Sequence, residues 1–65
     1  MNSTPSYIQF EPGHFVRLPA EPDWGIGQVQ SAINGRVTVN FDQAGKQVIH
    51  TDVALLVHVT PETDQ

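Results

Sequence analysis

The stretch Ile26-Gly27-Gln28-Val29-Gln30-Ser31-Ala32-Ile33-Asn34-Gly35-Arg36-Val37-Thr38-Val39-Asn40-Phe41 decides the fold. Val37, Val39 and Phe41 alternate with Arg36, Thr38 and Asn40, so residues 36–41 carry one apolar face with the period of a half-buried strand. Asn34 and Gly35 both tolerate the positive φ that tight hairpins demand, so Ile26–Ile33 and Arg36–Phe41 are predicted to pair antiparallel. The register is a choice between two loops. A two-residue loop pairs Ile33 with Arg36 and sets Val29 against Asn40. A three-residue loop ending at Gly35 pairs Ser31 with Val37 and Val29 with Val39, which brings the apolar residues to one face, and this register is expected.

Working outward, Asp42-Gln43-Ala44-Gly45 supplies a second turn and Lys46–His50 a fourth strand, anchored by Val48 and Ile49. Thr51-Asp52-Val53-Ala54 fits one helical turn before a β-branched fifth strand, Leu55–Val59. Upstream, Pro12-Gly13 marks a turn, His14–Leu18 a first strand that Pro19 terminates, and Ala20–Gly25 a loop holding Trp24. Gly25 and Gly27 allow a sharp bend or a close strand approach there. No segment shows a helical apolar period. The predicted class is all-β, a small five-stranded SH3-like (Tudor-like) barrel, because closure removes exposed edges. The barrel is expected over residues 11–59, between flexible tails at 1–10 and 60–65.

With 65 residues the chain can enclose one core, and with no cysteine that core must hold by packing alone. The net charge of −4 is unevenly placed. Between residues 13 and 59, Arg17, Arg36 and Lys46 face Glu21, Asp23, Asp42 and Asp52, while Glu11, Glu62 and Asp64 carry the rest of the acidity. Three cations would give a salt slope of only about −2.7, too little for tight duplex DNA binding. Met1–Ser6 has neither a basic nor an apolar signal region, so a cytoplasmic location is expected, and the Asn2-Ser3-Thr4 acceptor triplet is expected to be an unmodified polar tail. No apolar run approaches the ~20 residues of a membrane span.

Chemical signatures begin and fail. Gly45-Lys46 is followed by Gln47, and Asn40 stands where a phosphate loop needs glycine; Gly25-Ile26-Gly27 ends at Gln30 where a dinucleotide loop needs another. His14, His50 and His58 have no zinc-ligand spacing, and Ser31 sits in no nucleophile context. A domain this small is expected to lack a pocket of ~300 Å³, so no enzyme, cofactor or metal is expected. Trp24 is either a lid over the core or an exposed anchor. Tyr7, Phe15, Trp24 and Phe41 could form a cage for a methylated cation, but Phe15 and Phe41 are expected in the core.

Trp24-Gly25-Ile26-Gly27-Gln28-Val29-Gln30-Ser31, Val37-Thr38-Val39-Asn40-Phe41 and Ala44-Gly45-Lys46, within Pro12–Ile49, resemble a family of short bacterial proteins with a domain of unknown function. More distantly, Gly13-x-x-Val16-x-x-Pro19, Gly25-x-Gly27-x-Val29 and Val37-x-Val39-x-Phe41 are similar to the C-terminal Tudor-like domain of UvrD and PcrA helicases. The same pattern is similar to the RNA-polymerase-interacting domain of CarD and the transcription-repair coupling factor. The resemblance implies a barrel that binds RNA polymerase, in the CarD group partly by strand addition. The expected function is therefore a non-enzymatic module that pairs a strand edge with RNA polymerase or another transcription or repair protein. Trp24, Arg17 and Asp23 are expected near the contact, with Arg36 and Lys46 tuning charge. Gly13, Gly25, Gly27, Asn34, Gly35 and Gly45 are assigned to turns and bends. The alternatives are a weak single-stranded nucleic-acid binder using Trp24, Arg17, Arg36 and Lys46, and a self-associating module, monomer or weak homodimer.

Overall fold

The computed structural model describes residues 10–60. The flanking stretches expected to be tails, with Asn2 and Tyr7, lie outside the described residues, apart from Phe10 and Thr60 at their borders. Five strands form one antiparallel sheet: β1 (Phe15–Arg17), β2 (Gly27–Ile33), β3 (Arg36–Phe41), β4 (Gly45–His50) and β5 (Val57–His58). A 3-10 turn, Pro22–Trp24, joins the first two. The strand order is β4-β3-β2-β1-β5.

The sheet is not closed into a barrel: β4 and β5 stand at its two ends and do not pair. The chain between them explains why. The Val53 and Ala54 amides both donate to the His50 carbonyl, at 3.1 and 2.9 Å, making a single helical turn, and Leu56 then sinks into the core at 3% exposure. Of the expected Leu55–Val59 strand, Val57 and His58 pair with β1, and Val59 adds one amide bond to the Phe15 carbonyl.

The central hairpin corrects the expected register. Ile33 pairs with Arg36, so the loop is the two residues Asn34 and Gly35, with φ of 53° and 80° as a primed turn requires. Ser31 therefore faces Thr38 rather than Val37. Yet Val29 still faces Val39, because the ladder slips by one residue between Val29 and Ser31. An extra residue on one strand resets the side-chain parity. The requirement that apolar residues share a face was sound; the bulge at Gln30 meets it, not the loop.

Alternation then builds the core. Val29, Val37, Val39, Phe41 and Ile49 point inward from β2, β3 and β4, Val16 from β1, and Leu18 and Leu56 fill from the loops. Phe10, Trp24, Ala32, Ala44 and Ala54 pack around them, half-buried. Since Val16 is fully buried, strand parity turns its neighbours Phe15 and Arg17 outward. Phe15, expected in the core, is 38% exposed, and Val48, expected to anchor β4, is 52% exposed beside the buried Ile49.

Gly27 is needed for closeness rather than for a turn. A Cβ there would stand 2.8 Å from Cδ1 of Phe41 and closer still to Cγ1 of Val39. Gly13, Gly25, Gly35 and Gly45 take positive φ.

A candidate interaction edge

Which backbone groups the sheet leaves unused follows from its ladder. The Thr51 amide donates to the Gly35 carbonyl at 2.9 Å, one step beyond the Arg36–His50 pair. In an antiparallel ladder hydrogen-bonded and non-hydrogen-bonded pairs alternate. Val37–Ile49, Val39–Gln47 and Phe41–Gly45 are therefore the hydrogen-bonded pairs of β3 and β4. Lys46, Val48 and His50 turn their N–H and C=O groups the other way, toward the open end of the sheet. The His50 carbonyl is taken by the helical turn that follows. Among the described residues no strand covers the rest.

At the other end, the Val59 amide donates to the Phe15 carbonyl at 2.8 Å, so the same alternation turns the His58 backbone away from β1. Phe10 stacks on the His58 ring with centroids 4.7 Å apart, and His14 meets it edge-on at 5.1 Å. Beside these rings lies an open groove of about 330 Å³ lined by Gly13, His14, Phe15, His58, Val59 and Thr60. Its volume is one the sequence was not expected to afford. Among the described residues no group of three or more His, Asp or Glu is placed to hold a metal ion.

The side chains on the outer face of β4 are Lys46, Val48 and His50, all exposed. Across the ladder they stand beside Asn40, Thr38 and Arg36. Strands β2, β3 and β4 contain Arg36 and Lys46 and no acidic residue. The carboxylates Glu11, Glu21, Asp23, Asp42 and Asp52 all lie in turns and loops.

The five expected contact residues are spread over the molecule. Trp24 and Asp23 belong to the 3-10 turn, which is tied to the β3–β4 turn by the Gln43 amide donating to the Trp24 carbonyl at 3.0 Å. The Trp24 ring meets Phe41 edge-on at 5.3 Å and is half-buried, so it covers one end of the core. Lys46 follows that same turn on β4. Arg36 sits at the opposite end of β3, and Arg17 on β1 beside Val57 of β5. Trp24, Asp23 and Lys46 thus share an end of the sheet, while Arg36 and Arg17 do not. Val48 and His50 were missed. Their spacing from Lys46, with Ile49 as the inward residue, carries the signal of an outward row.

These features define a small all-β domain, an open five-stranded antiparallel sheet with one long edge that no described residue covers. The chain belongs to the family described as protein of unknown function (DUF3553), whose model matches residues 10–59. No curated protein and no solved structure matches it. Among the described residues no helix is long and apolar enough to cross a membrane.

Proposed function

We propose that this chain is a non-enzymatic interaction module of the SH3-like kind, which binds RNA polymerase or another transcription or repair protein by taking a partner strand along β4. The observation that carries this reading is the edge of a six-residue strand that no strand among the described residues covers. An uncovered strand edge offers ready-made hydrogen bonds to an extended segment, and alternate side chains select which segment. The adjacency of β1 and β5, first and last of the described strands, supports the SH3-like class, since a small bent sheet must bring its ends round. RNA polymerase is the partner suggested by the distant resemblance of the glycine and valine pattern.

The single-stranded nucleic-acid reading gains nothing from the arrangement. Trp24 has an edge contact with Phe41, and Arg17, Arg36 and Lys46 lie on different strands rather than along one track. The test uses Val48→Pro, which removes an outward N–H while leaving every β3–β4 bond in place. Purified RNA polymerase core should bind the wild-type chain immobilised on a sensor and lose that binding with Val48→Pro. Equal binding of the two proteins would show that the edge is not the contact.

A further inference from the structure

The bare edge carries a pattern of side chains that specifies what kind of strand it accepts. Reading along β4, the outward residues are Lys46, Val48 and His50: a cation, an exposed apolar side chain and an imidazole. A strand added beside β4, in either direction, places its own alternate residues directly opposite these three. The neighbouring outward residue on β3, Arg36, strengthens the positive end beside His50. No strand of the β2-β3-β4 half supplies a carboxylate to this face.

We infer that β4 selects a short extended partner segment with the order acidic–apolar–acidic at alternate positions. The inference rests on the strand-addition reading above and adds to it the chemistry of the partner. Opposite charges directly across a ladder are favourable and like charges are not, while an apolar residue opposite Val48 covers surface that is otherwise 52% exposed. The segment is short, because Asp42 and Asp52 stand in the turns at either end of β4, where further acidic residues would meet carboxylates. A second copy of this chain fits less well: pairing β4 with itself about Val48 sets Lys46 opposite His50 twice and offers neither a carboxylate. Lysine on a sheet edge discourages that kind of pairing. The same residue that repels a copy therefore recruits an acidic strand.

Two capped heptapeptides test this, one alternating threonine with glutamate, valine and glutamate, the other with lysines in place of the glutamates. In a titration followed by backbone amide shifts, the glutamate peptide should move the Lys46, Val48 and His50 signals at about tenfold lower concentration than the lysine peptide. Lys46→Glu should abolish the preference, since the end held by His50 and Arg36 is unchanged. Equal binding of both peptides at β4 would overturn the charge selection and leave strand addition standing. Shifts confined to other strands, or none with either peptide, would overturn both. Shifts at β4 on concentrating the protein alone, with no peptide effect, would give the edge to a second copy and overturn the inference.

Discussion

The two ends of the sheet are built on different principles. At one end, β4 is paired with β3 over all six of its residues, and the ladder runs on to the bond between Thr51 and Gly35. At the other, β5 has only two residues, held by β1 and by the burial of Leu56 just before it. A strand satisfied along its whole inner side leaves an equally long outer side, whereas a strand reduced to two residues leaves almost none. Short edge strands are a means of blunting an edge, and β5 uses it; β4 relies on Lys46 instead. Among the described residues, then, the long edge is uncovered while the short one offers little to pair with.

The largest effect expected from disturbing this contrast is at the β5 end. Leu56→Ala deletes a buried side chain at a cost of about 2–5 kcal/mol, comparable to the whole net stability of roughly 3–5 kcal/mol that a core of this size supplies. Circular dichroism should show a chain largely unfolded at 25 °C. If it stays folded, β5 is held by its ladder and not by Leu56.

The next prediction separates the two sides of β4. Gln47→Pro removes an N–H that bonds to β3 and should cost about 1–3 kcal/mol, the penalty for a broken buried hydrogen bond, plus the misfit of the ring. Val48→Pro, one residue away, removes an N–H facing the open side and should cost less than half as much. Urea midpoints of the two variants check this. Equal destabilisation would mean that the assignment of inward and outward groups is wrong.

The smallest structural effect belongs to Lys46→Val. An exposed substitution of this kind changes stability by no more than about 0.5 kcal/mol, but it removes the charge that guards the edge. Sedimentation at two concentrations should show dimers that the wild-type chain does not form. A monomeric Lys46→Val would assign the guarding of the edge to something other than the lysine.

Much of this was legible in the residues alone, and the losses have physical causes. Arg36–Phe41 was readable to its ends because a clean alternation bounded by Asn34-Gly35 and Asp42–Gly45 admits only one strand. The register was not, since a bulge leaves no mark in composition: Gln30 differs from its neighbours only by being unpaired in the ladder. Phe15 and Val48 misled for a shared reason. Each adjoins a buried residue, Val16 and Ile49, and hydrophobicity alone cannot say which of two adjacent apolar side chains faces inward. Of the expected contact residues, Lys46 lies on the open edge, and its partners Val48 and His50 became visible only once the Thr51–Gly35 bond fixed the parity of β4.

That parity and its use by a partner can be read together from amide hydrogen exchange, residue by residue, in the free chain and in the presence of the glutamate peptide or RNA polymerase. The free chain should protect Gln47 and Ile49 and leave Lys46, Val48 and His50 open, and the partner should close those three. A partner that leaves those three amides open, or an absence of alternation along β4 in the free chain, would contradict the account.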